Sequence, residues 1–377
     1  MLRSPMPMPT HPVETNTPQQ AVLSKKSCMT VAFRPWWQDN PYQQLLASHL
    51  EALGVEIRKV GTHTHLPLNG GKPDIIHLHW LHQFFLPPKP KTPLENLLRF
   101  FTGLFILKLM GSKLVWTAHN LKDHDNRNPL ADKICTYTVA KLADRIIAHS
   151  ETAKLEILQA FSIRNPDKVA VVPHGNYIGT YENTISRRDA RAQLQLPDSS
   201  PVLLFLGSIR PYKGVLELIH AFKQLNPSDL RLVIAGKPSD AETTATIEAA
   251  IAHHPTIHFI PGFVPDNDIQ VYMNACDAVV FPYKDILTSG AVLLAMSFGR
   301  ACIAPRLKGI AETLDDTGSI LYDPQSDIGL TQALQDTVQR QEELSHMGEH
   351  NRQRAEQWNW QFVAEQTLHV YQSCSQS

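Results

Sequence analysis

The sequence predicts an α/β protein made of two Rossmann-like, doubly wound domains that face each other across a cleft. From Thr30 onward, short apolar runs that favour β-strands alternate with amphipathic helical stretches. Strict alternation of this kind is typical of parallel sheets covered by helices on both faces. The pattern occurs twice, each time over roughly 150 residues, about the size of one domain. We therefore expect an N-terminal domain over residues 29–185 and a C-terminal domain over residues 186–350.

The composition excludes several classes of protein. The 377 residues are 43% hydrophobic and 19% charged, which rules out wholesale disorder. Lys and Arg (35) against Asp and Glu (36) give a net charge of −1, so we expect no nucleic-acid partner. The five cysteines are scattered without a C-x-x-C pair. This fits neither a disulfide framework nor a zinc site, and it favours a cytoplasmic location.

The beginning of the chain differs from the rest. Residues 1–28 hold five prolines among Thr, Gln and Ser and lack the apolar segment of a signal peptide. They are predicted to form a disordered tail. No apolar run elsewhere reaches the ~18 residues that would predict a membrane span.

In the first half, six strands and four helices are predicted in alternation. The strands are Thr30–Phe33, Glu56–Val60, Asp74–His79, Lys113–Thr117, Arg145–His149 and Val169–Val172. The helices are Gln43–Leu53, Leu94–Met110, Leu130–Leu142 and Thr152–Phe161. Because ligands of doubly wound sheets bind at the carboxyl ends of the strands, we expect functional residues in the loops that follow them.

The second half repeats the scheme with six more strands. These are Val202–Leu206, Arg231–Ile234, Ile257–Ile260, Ala278–Phe281, Ala301–Ala304 and Ser319–Leu321. A last amphipathic pattern from Gln353 to Gln372, with no strand after it, predicts one final helix within residues 351–377.

The strongest functional signal is the loop that follows the strand Val202–Leu206. It carries Gly207, Arg210, Lys213 and Gly214 and leads into a helix. Glycine lets a ligand approach the backbone, a helix N-terminus offers free N–H groups, and the two cations can neutralise an anion. The loop therefore predicts an anion site, with solvated surface cations as the alternative. Neither the P-loop spacing nor G-x-G-x-x-G is present.

A second loop, after the strand Ala278–Phe281, leads into a helix of small apolar residues. Thr288, Ser289 and Gly290 stand at the start of that helix. Their hydroxyl and N–H groups suit a second set of phosphate contacts. Ordinary capping of a core helix is the alternative that the sequence leaves open.

A series of short motifs makes the chain recognisable. They are Gly207–Gly214, Val233–Gly236, Gly262–Asp266, Ala275–Tyr283, Thr288–Gly299, Gly309–Thr313 and Tyr322–Pro324, and more loosely Asp74–Trp80, Trp116–Leu121 and Val172–Gly175. In their order and spacing the chain resembles GT-B-fold glycosyltransferases, close to the large family 4 (glycosyl transferases group 1). The resemblance covers most of residues 200–325.

The resemblance implies a division of roles between the domains. The C-terminal domain would bind a nucleotide-sugar donor and the N-terminal domain a glycan or lipid-linked acceptor, with no metal and no cofactor other than the donor. Arg210 and Lys213 would neutralise the donor diphosphate. The backbone around Phe263 and Val264 would hold the base. The final helix would cross back to the N-terminal domain.

One departure from the family concerns a pair of glutamates. Retaining family-4 enzymes usually carry two glutamates separated by seven residues. Here Leu294 stands at the second position and Ile286 at the first, with Asp285 beside it. Leucine cannot hydrogen bond to a ribose or sugar hydroxyl. Either Asp285 takes over part of this donor-binding role or the chain belongs to a subgroup with different donor handling, so retention and inversion both stay open.

Four residues are catalytic candidates. His119 follows the strand Lys113–Thr117 and matches the histidine that family-4 enzymes direct toward the donor sugar, with a hydrogen-bonded core histidine as the alternative. If the enzyme inverts, the acceptor hydroxyl needs a general base. Asp39, His124 and Asp125 are the candidates for that base, and each is otherwise an ordinary polar loop residue.

A histidine cluster has a metal-binding and a structural interpretation. His77 and His79 would point to one face of a strand, as two metal ligands do, and His82 follows closely. No carboxylate or thiol is spaced to complete a site. We therefore predict no metal site.

Two apolar segments bear on the acceptor. Trp36, Trp37 and Tyr42 either form a platform that stacks on an acceptor sugar or pack into the core. Residues 94–115 combine Phe, Leu and Ile with Arg and Lys, which suits a peripheral contact with the inner face of a membrane. Burial of that segment against the N-terminal sheet is the favoured interpretation.

The sequence thus predicts a metal-independent glycosyltransferase of the hexosyltransferase type that moves a sugar from a nucleotide sugar to a glycan, glycolipid or other glycoconjugate. A GT-B-fold sugar epimerase or phosphorylase is one alternative. A non-catalytic relative that only binds a nucleotide sugar is the other. Leu294 favours the non-catalytic relative, whereas Arg210, Lys213 and His119 count against it.

Overall fold

The computed structural model describes residues 29–62, 71–85, 93–123, 128–225 and 229–374. The tail predicted over residues 1–28 lies outside the described residues, and so do His124 and Asp125. The described residues form two six-stranded parallel sheets with helices on their faces. This confirms the predicted α/β class.

The N-terminal sheet has the strand order β2-β1-β3-β4-β5-β6, and every pair is parallel. Its strands are β1 (Thr30–Arg34), β2 (Glu56–Lys59), β3 (Ile75–Leu78), β4 (Lys113–Thr117), β5 (Arg145–Ala148) and β6 (Val169–Val171). All six were predicted from their apolar runs. The central strands β1 and β3 are buried along their whole length, as expected for a sheet covered on both faces.

Helices cover both faces of this sheet. They are α1 (Pro41–Ala52), α2 (His82–Phe85), α3 (Pro93–Leu109), α4 (Pro129–Leu142) and α5 (Glu151–Ala160). On one face, Leu46 and Leu50 of α1 pack with Phe33. On the other, residues of α3, α4 and α5 share a core with Ile76 and Leu78 of β3.

The C-terminal sheet has the strand order β12-β11-β10-β7-β8-β9, again all parallel. Its strands are β7 (Val202–Leu206), β8 (Arg231–Gly236), β9 (Ile257–Pro261), β10 (Ala278–Val280), β11 (Ala301–Pro305) and β12 (Ser319–Tyr322). The remaining helices are α6 (Arg187–Gln193), α7 (Val215–Leu225), α8 (Ala241–Ile251), α9 (Ile269–Ala275), α10 (Gly290–Ser297), α11 (Lys308–Thr313), α12 (Gly329–Gln339), α13 (Leu344–Glu356) and α14 (Trp360–Cys374).

In each sheet the strand order reverses at one point, between β1 and β3 and between β7 and β10. Ligands of doubly wound sheets bind outside the carboxyl ends of the strands at this switch point. The two loops that the sequence singles out follow β7 and β10. They therefore flank the switch point of the C-terminal sheet.

The end of the chain differs from the prediction, because two helices replace the single helix expected over residues 353–372. Helix α13 packs in the C-terminal domain, where the Asn351 side chain donates to the Gly318 carbonyl oxygen at 2.7 Å. The chain then turns, and the Asn359 side chain caps α14 by accepting from the Phe362 N–H at 2.9 Å. Only α14 lies on the N-terminal sheet, where it packs against α1.

The apolar helix α3 confirms the favoured interpretation of residues 94–115 on one of its sides only. One side is buried against the sheet, with Phe100, Leu104 and Leu107 in the core. The opposite side exposes a row of apolar side chains: Leu98, Phe105, Ile106, Leu109 and Met110. None of the helices in the described part of the chain is long and apolar enough to cross a bilayer.

Candidate functional site

The two loops at the switch point of the C-terminal sheet are in contact. Gly214 adopts a left-handed conformation (φ +67°), and a Cβ atom there would lie 1.9 Å from the Pro282 carbonyl oxygen. The Lys284 N–H donates to the Tyr212 carbonyl oxygen at 2.8 Å. Only glycine permits both this φ and this close approach, so Gly214 joins the loops into one surface.

Lys213 places a positive charge where these loops meet. Its Nζ lies 3.3 Å from the Ser208 hydroxyl and 5.7 Å from the centre of the Tyr283 ring. Burial, and then the nearby charge of Arg210, lower the pKa of Lys213 to about 8. Among the residues that the structure describes, no carboxylate is paired with this ammonium group. A desolvated cation without a carboxylate partner is destabilising until an anion binds.

Arg210 and Gly207 complete the loop. Arg210 is half-buried. Besides Lys213, a second charged residue, Asp240, lies near it. The pKa of Asp240 is lowered mainly by the hydrogen bond from the Thr243 N–H and further by the Arg210 charge. Gly207 has a φ of +136°, and a Cβ atom there would lie 3.5 Å from Nζ of Lys213. A ligand can therefore approach the backbone and the ammonium group together.

At the start of α10, Thr288, Ser289 and Gly290 are half-buried. The Ser289 hydroxyl oxygen accepts from the backbone N–H three residues on at 3.4 Å, so the capping interpretation is confirmed for this residue. A Cβ atom on Gly290 would lie 3.5 Å from Nε2 of His174 and 3.2 Å from the Tyr177 hydroxyl. The start of α10 therefore lies directly against the chain that leaves the N-terminal sheet.

The loop after β9 holds Phe263 and Val264 at the same carboxyl edge of the sheet. The Phe263 side chain is 76% exposed, whereas Val264 packs on the core. The Gly262 N–H donates to the Gly236 carbonyl oxygen at 3.0 Å, which ties this loop to the end of β8. That the backbone here holds a base stays a prediction.

The two positions of the missing glutamates are apolar in the structure too. Ile286 is buried, and Leu294 is half-buried against the C-terminal core. Asp285 lies beside them and forms an ion pair with Lys122 of the N-terminal domain, at 2.8 Å. Asp285 therefore connects the two domains.

Histidines line the carboxyl edge of the N-terminal sheet, opposite these loops. They are His77 and His79 at the end of β3, His119 after β4, His149 after β5 and His174 after β6. The ring of Tyr42, on α1, lies among them, with its centre 4.9 Å from that of His119 and 4.8 Å from that of His174. Of these histidines, the sequence marks His119 as a candidate but not His149 or His174. Their signal was their position, because His149 ends the predicted strand Arg145–His149 and His174 lies two residues after the predicted strand Val169–Val172.

Burial keeps these rings neutral. It lowers the pKa of His77 and His174 to about 3 and that of His149 to about 4. It also holds the pKa values of His79 and His119 well below the ordinary value, and neighbouring histidines add to the effect. A neutral imidazole offers one N–H and one lone pair. In His174 the Nδ1–H donates to the Gly175 carbonyl oxygen at 2.7 Å, so Nε2 is the acceptor.

His119 is part of this cluster and not an isolated side chain. Its ring stacks on Trp80, with centres 4.2 Å apart and planes 6° apart, and its Nε2 lies 3.3 Å from Nδ1 of His79. Asp39 is exposed in the turn between β1 and α1. The other two candidates for a general base lie outside the described residues.

His77, His79 and His82 do not converge on one point. His77 bonds to the Tyr371 hydroxyl at 2.6 Å and to the Thr117 hydroxyl at 2.7 Å. The Nδ1 atom of His82 lies 2.8 Å from a carboxylate oxygen of the buried Asp132 on α4. Throughout the described ranges, no three His, Cys, Asp or Glu side chains are grouped so that they could hold a metal ion.

The aromatic platform is arranged differently from the prediction. Tyr42 is only 4% exposed and belongs to the core. Trp36 packs against Phe33 and under the ammonium group of Lys59. Trp37 stacks instead on Trp80, a residue that the sequence analysis did not include, with ring centres 4.5 Å apart.

Comparison with known proteins identifies the fold and the reaction. Residues 186–354 match the family described as glycosyl transferases group 1. The chain is a glycosyltransferase. It is 28% identical to GDP-mannose:glycolipid 4-beta-D-mannosyltransferase of Xanthomonas campestris pv. campestris. The alignment spans 269 residues, which are 70% of this chain and 71% of the relative.

Other relatives agree with this assignment. D-inositol 3-phosphate glycosyltransferase of Kineococcus radiotolerans is 27% identical, over 68% of this chain and 63% of that protein. The similarity to these relatives identifies the chain as a hexosyltransferase. Such an enzyme moves a sugar from a nucleotide-sugar donor to a glycoconjugate acceptor.

Solved structures establish the GT-B fold. Sucrose-phosphate synthase from Thermosynechococcus elongatus superposes with a TM-score of 0.74 at 18% identity, over 92% of this chain and 98% of that one. Anabaena HepE in complex with UDP and glucose superposes with a TM-score of 0.71 at 16% identity, over 92% of this chain and 100% of that one. The two doubly wound sheets predicted from the sequence are therefore those of a GT-B protein.

Proposed function

We propose that this glycosyltransferase transfers a hexose from a nucleoside-diphosphate sugar to a lipid-linked saccharide at a membrane surface, with no metal taking part. By its name, the relative from Xanthomonas uses GDP-mannose and a glycolipid. A nucleoside diphosphate carries its negative charge on the two phosphates. The site must therefore offer positive charge and free N–H groups at one point.

The observation that carries the proposal is Lys213. Its ammonium group lies at the switch point of the C-terminal sheet, desolvated and beside a second cation, Arg210. A bound diphosphate would supply the missing negative charge. As the glycosidic bond of the donor breaks, charge grows on the leaving diphosphate, and a preorganised cation stabilises that charge. The protein cations would take the place of a divalent metal.

The other donor contacts follow from the same surface. Gly207 leaves room for the phosphates beside the Lys213 ammonium group. Thr288 and Gly290 present a hydroxyl and a backbone N–H at the start of α10, with Ser289 as the cap. Further along the edge, the backbone at Phe263 and Val264 would take the base. Asp285 would act by holding the domains together through Lys122.

The acceptor side would use the histidine edge. His119 is neutral at physiological pH, so it can accept or donate a hydrogen bond to a sugar hydroxyl without a change of charge. Asp39 is exposed in the turn after β1 and would act as a general base if the transfer inverts the anomeric centre.

The exposed side of α3 supports membrane contact. Phe105 is 59% and Leu109 72% exposed. On the neighbouring helix α4, Leu130 and Ile134 are 70% and 56% exposed, and Lys133 lies between them. Apolar side chains next to lysines are typical of a face that rests on an anionic bilayer.

The donor site is tested by thermal unfolding with UDP, GDP, ADP and their common sugars. A ligand at ~100 times its dissociation constant stabilises the fold by ~2.7 kcal/mol. We expect one nucleoside diphosphate to raise the Tm of the wild type and of Lys223→Ala, and to leave Lys213→Ala and Arg210→Ala unshifted. Lys223 is the matched control because its Nζ bonds to the Ala250 carbonyl oxygen, at the far end of α7. Equal shifts in all variants would refute the site.

Two further measurements test the rest of the proposal. Sugar transfer should be unaffected by EDTA, and a loss restored by Mg²⁺ or Mn²⁺ would refute metal independence. Phe105→Ser with Leu109→Ser should reduce co-sedimentation with vesicles of phosphatidylcholine and phosphatidylglycerol. Leu155→Ser removes a 65% exposed leucine on α5 and should not. Equal binding by both variants would refute membrane contact through α3.

A further inference from the structure

Three aromatic rings are stacked at the carboxyl edge of the N-terminal sheet. The Trp37 ring centre lies 4.5 Å from that of Trp80, with planes 24° apart. The other stacking partner of Trp80 is His119, 4.2 Å away and nearly parallel. The stack thus runs from the loop after β1, over the end of β3, to the loop after β4.

Hydrogen bonds to the backbone hold the loop that carries Trp37, the outer ring of this stack, in place. The Gln43 side chain, fully buried, accepts from the Trp37 N–H at 2.9 Å and donates to the Pro35 carbonyl oxygen at 2.6 Å. The Trp37 carbonyl oxygen in turn accepts from the Asn40 N–H at 3.2 Å. These hydrogen bonds hold the loop in one conformation, so binding to Trp37 needs little rearrangement.

The stack differs from ordinary core packing because its two tryptophans are incompletely buried. The nearby Tyr42 is 4% exposed and surrounded by other rings, but Trp37 and Trp80 are only half-buried. Among the described residues, no ring other than that of Trp80 stacks on Trp37. A half-exposed indole at the carboxyl edge of the sheet is suited to contact a ligand.

The location of the stack also points to a ligand. The N-terminal sheet reverses its strand order between β1 and β3, and Trp37 and Trp80 follow these two strands. This is the switch point at which doubly wound sheets bind ligands. It is the counterpart, in the N-terminal sheet, of the point where Lys213 lies in the C-terminal sheet.

We propose that the half-exposed Trp37 ring, stacked on Trp80, is the binding platform for a pyranose ring of the acceptor. One face of a pyranose presents C–H groups, which are apolar and carry a partial positive charge that matches the negative face of an indole. The exposed Gln38 and Asp39, next in the same turn, would bond to the sugar hydroxyls. This inference rests on the proposed function, since it places the saccharide of the lipid-linked acceptor.

The test measures saccharide binding without requiring sugar transfer. The probes are octyl β-D-glucoside, octyl β-D-mannoside and octyl β-cellobioside below their micelle concentrations, in the presence of UDP or GDP. The readouts are saturation-transfer NMR and the quenching of tryptophan fluorescence. We expect Trp37→Ala to weaken binding about tenfold, a change of about 1.4 kcal/mol, and Trp37→Phe to recover most of it. Trp36→Ala is the matched control and should bind as the wild type does.

Two outcomes would overturn the platform. One is that Trp37→Ala binds the glycosides as tightly as Trp36→Ala, and the other is that the wild type binds none of them. Failure of the platform is distinguishable from failure of the donor site. The Tm shift caused by a nucleoside diphosphate should be the same in Trp37→Ala as in the wild type, and its absence from both would count against the proposed function. Circular dichroism and unfolding of each variant establish that it is folded.

Discussion

The carboxylate of Glu312, on α11 of the C-terminal domain, accepts a hydrogen bond from the backbone N–H of Thr152, on α5 of the N-terminal domain, at 2.6 Å. The Glu151 N–H donates to the same carboxylate at 3.0 Å. The next N–H of α5 is capped by the Ser150 hydroxyl. Two of the four free N–H groups of this helix are thus satisfied by a side chain of the other domain. The Glu312 carboxylate therefore closes the cleft on the side of α5.

Replacing this carboxylate should loosen the closed arrangement. Glu312→Ala removes an acceptor at a helix N-terminus, which costs about 1 kcal/mol. We expect a lower urea midpoint and a larger radius of gyration by small-angle X-ray scattering. Glu349→Ala, an exposed glutamate on α13, should change neither quantity. An unaltered radius in Glu312→Ala would show that the contact does not hold the domains together.

The pKa of Lys213 predicts how donor binding depends on pH. That pKa is about 8 in the free protein, below its ordinary value because of burial and Arg210. The ammonium group is charged at pH 7 and loses its proton as the pH rises through 8, so its attraction for a diphosphate falls. The dissociation constant of the preferred nucleoside diphosphate should rise about tenfold between pH 7 and pH 9.

Arginine at the same position provides the control for this prediction. Lys213→Arg keeps its charge over the whole range, because a guanidinium group does not lose its proton there. Its affinity for the nucleoside diphosphate should be nearly constant from pH 7 to pH 9 by isothermal titration calorimetry. If the wild type shows the same flat profile, Lys213 does not contact the phosphates.

Much of this architecture is readable from the sequence, because it depends on local pattern. Apolar runs predict all twelve strands, and the position of Lys213 and Gly214 after β7 predicts that they lie at the cleft. Contacts between distant segments are not readable in this way. The stack of Trp37 on Trp80 depends on which strands are neighbours in the sheet. The bond from Thr152 to Glu312 depends on how the two domains meet.

The final helices show the same limit at short range. An amphipathic pattern continues across residues 357–359, so periodicity alone predicts one helix. The break is fixed by partners elsewhere in the chain. The Asn176 N–H donates to the Trp358 carbonyl oxygen at 2.8 Å, and the Trp360 indole donates to the Asn176 carbonyl oxygen at 2.6 Å. The chain passes between the domains twice, near Asn176 and again at residues 357–359. These hydrogen bonds therefore make the two connecting segments stabilise each other.

Gly214 should be far more sensitive to substitution than a glycine with a similar backbone conformation in open space. Gly179 has a φ of +75°, and a Cβ atom there would meet no atom of the described residues within 4 Å. A Cβ atom on Gly214 would instead overlap the Pro282 carbonyl oxygen. Gly179→Ala should cost about 1–2 kcal/mol from its φ alone. Gly214→Ala adds overpacking of roughly 1–3 kcal/mol.

The two glycine variants should also differ in their stabilisation by nucleoside diphosphates. Because the clash would push the loops after β7 and β10 apart, Gly214→Ala should also lose the stabilisation by nucleoside diphosphates, and Gly179→Ala should keep it. Urea unfolding with and without UDP or GDP measures both effects. Equal behaviour of the two variants would mean that contact between these loops is not needed for the site.

The buried histidines predict that the protein loses stability in mild acid. Their pKa values are lowered in the folded state, to about 3 for His77 and His174 and to about 4 for His149. In the unfolded state a histidine titrates near 6.5. The unfolded chain therefore binds more protons, and stability is present above pH 6.5 and declines as the pH falls toward 4. Each such histidine should cost about 1.4 kcal/mol between pH 7.5 and pH 5.5.

Single substitutions isolate this effect from the titration of other groups. In His149→Gln the amide can still donate to the Val172 carbonyl oxygen, as the Nδ1–H of His149 does at 2.9 Å, but it takes up no proton. The number of protons bound on unfolding, taken from the pH dependence of urea midpoints, should fall by about half a proton on average between pH 7.5 and pH 5.5. His346→Gln removes an exposed histidine on α13 and should leave that number unchanged. If both variants keep the wild-type dependence, the ring of His149 is not held neutral by the fold.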